Sequence, residues 1–284
     1  LDTTLSTKKS FMQELLKDTQ DLSANNVVGK RSLRSYTGRC NHVANLLFAW
    51  RPFMDTLWAA ATQSEKDQKR SWAPKGMLWT RQIKQTCTWV RSFLELQGAA
   101  ISRTWPLQAY LSRSSSTAIV CDASPYGLGA VLVKDGVPQR YICSDLDHHD
   151  YSRYGFTSGD CAGQQVWDSL AIIVALRAWK GVWQTGRFSI IIRSDNITSL
   201  VVALRLKSPP GGAKRIAKEL ALDLPFATWI PLIVEHIPGI SNAHADVLSR
   251  RRDPARAATW RLPRVLERVP ETRVPVRDAT YYYL

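Results

Sequence analysis

Four aspartates, Asp122, Asp168, Asp195 and Asp246, have the types and positions to do chemistry in this sequence. Asp122 ends the apolar run Thr117-Ala-Ile-Val-Cys, and Asp195 ends Ser189-Ile-Ile-Ile-Arg-Ser. A carboxylate at the end of an apolar strand does little for folding, but strand ends are where α/β sheets build their sites. Neighbouring strands that both end in carboxylates concentrate negative charge, which a cation relieves. Magnesium suits such a set because it is a hard ion that takes oxygen ligands, keeps water and is completed by a substrate phosphate. Carboxylates without His or Cys fit it better than zinc. Taken singly, each aspartate has a plainer role open to it. Asp122 can start the turn before Pro125, Asp195 can cap the helix that follows it, and Asp246 can be solvated surface.

The elements that must position these residues can be read from periodicity. Beyond about residue 116 the pattern predicts strands at 118–122, 128–133 and 139–144, the first two joined by the turn-forming SPYG. A long amphipathic helix follows over 163–183. The β-branched run ending at Asp195 reads as a buried central strand over 188–195, and helix resumes at Asn196. After SPPGG at 208–212 come a helix over 213–222, a strand over 229–236 and a short final helix from Ala243. The order βββαβααβα implies a mixed sheet with helices on its faces, opening as a meander and continuing by parallel crossovers. Upstream, from Thr7 to about Gln97, apolar residues recur at helical spacing, as in Leu33, Tyr36, Val43, Leu46 and Leu47, and strand signals are nearly absent. Pro52 falls in an early helix turn, and the polar stretch 62–76 reads as a solvated connection to a helix over 80–96. The Ser-rich LSRSSS reads as a linker. Three segments result: an all-helical region 1–110, an α/β domain 111–253 and a basic Arg/Pro-rich tail 254–284, read as a flexible extension.

The strings CDASPYGLGAVL, VWDSLAIIVALRAW, IIRSDNITSL and IPGISNAHADVLSR, in this order, resemble the ribonuclease H domain of a retroelement reverse transcriptase. The resemblance spans about 117–252 and implies a ribonuclease H-like five-stranded mixed sheet flanked by helices. It also implies that Asp122, Asp168, Asp195 and Asp246 are both the catalytic residues and the ligands of two Mg²⁺ ions about 4 Å apart, Mn²⁺ being an alternative. On that pattern Asp122 bridges the ions, Asp168 and Asp195 stand on one side, and Asp246 stands on the other. The family usually has Glu where Asp168 stands, so here the carboxylate sits one methylene shorter on a rigid helix. The implied activity is hydrolysis of the RNA strand of RNA–DNA hybrids. Ser124, Asn196, Arg193, Arg250, Arg251 and Arg252 are its candidate nucleic-acid contacts. The segment SLRSYTGRCNHVANLLFAWRPFMDTLW resembles the thumb and connection helices of such reverse transcriptases, which implies a polymerase domain further upstream. No YxDD-type aspartate pair occurs in the chain. Two other readings stay open: a ribonuclease H-like scaffold with weak or lost chemistry, and an integrase or transposase, against which the NAHADVLSR ending argues.

Bulk composition agrees with a nucleic-acid partner without demanding one. The 284 residues are 45% hydrophobic and carry a net charge of +14, with a pI near 9.8. That suits a folded protein whose field attracts polyanions. Trp50, Trp58, Trp72, Trp79, Trp89 and Trp105 lie among Arg and Lys, where bases could stack, although core packing accounts for most of them. Five scattered cysteines without a CxxC pair argue against a disulfide framework or zinc site and for a reducing, intracellular setting, nuclear or cytoplasmic. No apolar run is long enough to span a membrane. The first twenty residues lack the apolar core of a signal peptide, and the chain reads as a piece of something longer. His148 and His149 fall in a polar loop without spaced ligands. His236 is expected to pack at a strand end, and His244 is a weak candidate for the family's mobile histidine.

Overall fold

A computed structural model describes residues 2–63, 73–97, 102–106, 117–183, 190–206, 211–223 and 233–283. The chain forms two compact units, Leu1–Leu107 and Gln108–Leu284. The linker LSRSSS, most of the polar connection 62–76 and most of SPPGG lie outside the described residues.

The first unit contains β1 (Asp2–Ser6), α1 (Lys9–Ala24), β2 (Val27–Gly29), α2 (Lys30–Leu46), α3 (Arg51–Ala61), β3 (Met77–Trp79), α4 (Lys84–Gln97) and β4 (Ser102–Pro106). Helices dominate because their apolar residues line one face. Leu33, Tyr36, Cys40 and Val43 recur at three- and four-residue steps along α2, and all are buried. Pro52 sits in the first turn of α3, where its missing N–H costs nothing. Phe53 stacks on Trp89 at 3.7 Å between centroids, and Trp50 meets Trp89 edge-on. Trp50 and Trp89 are therefore core, whereas Trp58 (40% exposed) and Trp79 (37%) reach the surface.

The unit is not all-helical. β1 pairs antiparallel with β4, and β2 with β3. Strands of three residues such as β2 and β3 are too short to show alternation. Their partners stand some fifty residues apart, so this pairing leaves no local pattern in the sequence.

The second unit is α/β around a five-stranded mixed sheet. β5 (Thr117–Ser124), β6 (Gly127–Lys134) and β7 (Val137–Asp145) form an antiparallel meander. β8 (Ile191–Ser194) runs parallel to β5, and β9 (Ile233–His236) runs parallel to β8, giving the order β7-β6-β5-β8-β9. The outer parts of the expected strands 188–195 and 229–236 lie outside the described residues. The helices are α5 (His148–Tyr154), α6 (Gln164–Ala178), α7 (Lys180–Trp183), α8 (Ile197–Arg205), α9 (Gly212–Asp223) and α10 (Ala243–Ser249).

Two helical expectations need correction. The helix expected over 163–183 breaks at Trp179, and its main part is not amphipathic. Every residue of α6 from Val166 to Leu176 is buried, because α6 packs on β5 and β6 and also on α8 and α9. The polar loop around His148 is a helix, α5, begun by a capping box. Asp147 accepts from the backbone N–H of His149 and Asp150, and the Asp150 carboxylate accepts from the Asp147 N–H.

The tail is not a free extension. Leu266 is wholly buried beside Val131, Tyr141, Cys143 and Leu248, with Trp260, Leu262 and Val269 against them. Tyr141 on β7 forms a parallel bridge with Glu271, and the Thr272 N–H donates to the Tyr141 carbonyl at 2.7 Å. Arg277 is buried against Asp150. The many arginines mask an apolar series, Trp260, Leu262, Leu266 and Val269, that docks on the sheet.

Two glycines fix where α10 lies. A Cβ at Gly127 would come 2.7 Å from the Ser249 carbonyl oxygen, and one at Gly129 would overlap that of Ala245. Only glycine lets the α10 backbone sit this close to β6. In the antiparallel register Gly129 faces Asp122 and Gly127 faces Ser124, so α10 meets the sheet beside Asp122.

Candidate active site

β5 runs two residues beyond Asp122, to Ser124, and its parallel pairing with β8 brings Asp122 level with the residue that follows β8. Val120 pairs with Arg193, and the same offset carried two residues on sets Asp122 beside Asp195. Asp168 enters from the first half of α6, and Asp246 from the first turn of α10.

Asp122 is 6% exposed. One carboxylate oxygen accepts from Ser249 Oγ at 2.8 Å and the other from Asn242 Nδ2 at 3.3 Å. Burial raises its pKa to about 8, and the charges of Asp168, Asp195 and Asp246 push it the same way against the Ser249 hydrogen bond. Asp168, 4% exposed, accepts from Asn196 Nδ2 at 2.7 Å and from Gln164 Nε2 at 3.1 Å. Burial raises its pKa to about 7, and Asp195 adds to the rise. Asp195 is exposed at the end of β8, with Gly239 drawn close enough that a Cβ there would stand 3.3 Å from its carboxylate. Asp246 is held by two guanidinium groups, Arg250 Nε at 2.5 Å and Arg256 Nη1 at 3.2 Å. The four aspartates thus form one electrostatic group with Asp122 at its middle.

Neutral side chains do the positioning. Asn196 caps α8 by accepting from the N–H groups of Thr198 and Ser199, which leaves its amide free to donate to Asp168. Gln164 fixes Asp168 from one turn earlier and also donates to the Ala123 carbonyl. Asn242 spans the Cys121 carbonyl and Asp122, while its own side-chain oxygen is buried without a hydrogen-bond partner among the described residues. Ser249, Gln164 and Arg256 were not candidates on sequence grounds. Asn242 and Ser249 stand four residues before and three after Asp246, and that spacing is the one signal that could have marked them.

The candidate nucleic-acid contacts divide. Ser124 is buried, and its hydroxyl donates to the Ser249 carbonyl at 2.6 Å, so it joins β5 to α10 and does not face a ligand. Asn196 serves Asp168. Arg193 pairs with Glu235 at 2.7 Å, and Arg251 and Arg252 both pair with Asp145 at 3.1 Å. Each of these arginines keeps a third or more of its side chain exposed, which leaves room for an incoming anion. His236 is exposed at the end of β9 and meets the Asp195 carbonyl at 3.0 Å, whereas His244 is exposed on α10. The rings of His148 and His149 lie 3.8 Å apart. All five cysteines are free thiols, four of them buried.

The donors suit a hard divalent cation: four carboxylates, the orphan Asn242 oxygen, and no thiolate or imidazole among them. Among the described residues, no group of three or more His, Cys, Asp or Glu side chains is set closely enough to hold a metal ion as the side chains stand. Asp122, Asp168 and Asp246 each spend both oxygens on donors of the chain itself. Among the described residues no helix is long and apolar enough to cross a membrane. No family model and no curated protein matches the chain.

Proposed function

We propose that the second unit is a ribonuclease H-like nuclease domain that hydrolyses the RNA strand of RNA–DNA hybrids. One observation carries this reading. Four aspartates, one within β5, one just past β8 and two on helices, gather into one group whose buried members are raised toward neutral pH by burial and by neighbouring aspartates. The excess negative charge is what bound divalent cations would relieve. Two Mg²⁺ ions, or Mn²⁺, would be held by Asp122, Asp168, Asp195 and Asp246. Bound there, they would supply an activated water and charge stabilisation at the scissile phosphate.

The chain's own residues do the rest. Ser249 and Asn242 hold the Asp122 carboxylate in one orientation, and Asn196 and Gln164 hold Asp168. Rigid placement of this kind keeps reacting groups within the narrow geometry that hydrolysis tolerates. Arg193, Arg250, Arg251 and Arg252 bind substrate phosphates. RNA is told from DNA through its 2′-hydroxyls. Cleavage leaves a 5′-phosphate and a 3′-hydroxyl. On this reading the chain is the C-terminal part of a retroelement reverse transcriptase polyprotein, its first unit is a thumb and connection region, and a polymerase domain stands upstream.

The test is cleavage of a labelled RNA–DNA hybrid with Mg²⁺, beside single-stranded RNA, an RNA duplex and the Asp122→Asn/Asp195→Asn variant. The expected outcome is cutting of the hybrid alone, lost in the variant. A second reading, a hybrid-binding scaffold, is favoured by one feature: Asp168 stands where the resembled family has Glu and is tied at both oxygens. Hybrid binding by the parent without cutting would select it.

A further inference from the structure

Asp246 differs from its three companions in being held by positive charge. Arg250 reaches it from one turn further along, and Arg256 reaches it from the segment that leaves α10. Arg256 is placed by a fixed turn: its N–H donates to the Asp253 carbonyl at 2.9 Å, and Trp260 Nε1 ties the following chain to the Val247 carbonyl at 2.7 Å. Arg250 also faces Asp253 at 3.7 Å. A carboxylate with one guanidinium on each oxygen keeps a lone pair on each, but its charge is balanced and its orientation fixed, so a cation must compete with two positive groups for it. Yet these pairs are half open to water, the Arg256 side chain being 52% and the Arg250 side chain 32% exposed, so they exchange partners readily. A phosphate group competes for the same planar, bidentate donors.

We propose that Arg250 and Arg256 form a clamp on Asp246 that a nucleic-acid backbone opens. Phosphates draw the two guanidinium groups away, and the freed carboxylate turns to the cation. Cation and nucleic acid then bind with positive coupling, because each favours the state in which Asp246 is released. By linkage the coupling is the same seen from either ligand. Arg256 is thus a positioning residue that acts through Asp246. The inference rests on the two-cation reading given above.

The coupling is measured on the full chain by Mn²⁺ titration, following the loss of the free-ion electron paramagnetic resonance signal, with and without a short DNA duplex that supplies phosphates but no RNA to cut. In the parent, the duplex is expected to tighten Mn²⁺ binding on the order of tenfold. Arg256→Gln and Arg250→Gln/Arg256→Gln are expected to bind Mn²⁺ that tightly without duplex and to gain little from it, while Arg256→Lys, which keeps the charge, stays near the parent. Glutamine variants with the parent's affinity, or a duplex without effect on a parent that does cleave hybrid, would overturn the clamp alone. A parent that binds no Mn²⁺ under either condition would overturn both the clamp and the two-cation reading.

Discussion

The second unit buries acids in two places and treats them differently. Where the tail docks, each acid has a cation. Asp150, fully buried, is met by Arg277 at 2.6 Å, and Glu219, 1% exposed, by Arg177 at 2.9 Å and by Arg153 at 3.7 Å. Where β5 meets α6 and α10, Asp122 and Asp168 are almost as buried but are met by Ser249, Asn242, Gln164 and Asn196, all of them neutral. A buried charge needs compensation, so the first arrangement is complete within the chain and the second asks for charge from outside. Burial alone therefore does not mark a functional acid. The nature of its partners does.

Substitutions separate the two places. The largest expected effect is on the proposed hydrolysis: Asp122→Asn is expected to lower the hybrid cleavage rate on the order of 10⁴-fold, read in single-turnover assays, without lowering the melting temperature. An inactive variant that also melts early would make Asp122 a structural acid like Asp150 and erase the contrast. Next, Arg277→Ala strands Asp150 in the interior and costs about 3–5 kcal/mol in urea unfolding, because an uncompensated buried charge remains.

A smaller effect is the pH dependence of stability. Folding raises Asp122 from 3.8 to about 8 and Asp168 to about 7, so between about pH 4 and pH 8 the folded chain holds protons that the unfolded chain has released. Stability from these groups is fully present below pH 4 and is lost as pH rises through 7 and 8. Asp122→Asn removes the largest part, so its melting temperature exceeds the parent's at pH 8 and converges with it near pH 4. The smallest effect is that of Mg²⁺. On the proposed two-cation reading, Mg²⁺ at ten times its dissociation constant is expected to stabilise the parent at pH 8 by about 1.4 kcal/mol, and Asp122→Asn/Asp168→Asn by much less, read in thermal melts.

What the sequence disclosed follows from how local each signal is. The meander of β5, β6 and β7 carries its own turns between short apolar runs, and β8 its β-branched run, so the α/β class and the positions of Asp122 and Asp195 were readable. α5 was missed because its start lies in the Asp147–Asp150 capping box, inside a stretch that reads only as polar. The pairing of β2 with β3 and the docking of the tail depend on partners far along the chain, which no local window contains. At the site, the types and spacing of the aspartates suggested a group, but the roles of Gln164, Asn242 and Ser249 exist only once α6 and α10 stand beside β5. Arg256 could not be separated from the other arginines of the basic tail until its turn set it against Asp246.

The bridge between Tyr141 and Glu271 has a consequence for how copies of this protein behave in solution. β7 is the outermost strand of the sheet on its side, and an uncovered outer strand offers its peptide groups to any similar strand that diffuses past. By laying residues 270–272 along Tyr141, the chain occupies part of that rim with its own backbone. The arginine-rich segment therefore also covers part of an edge strand, and removing residues 270–272 would open the Tyr141 peptide groups to pairing with a strand of another copy.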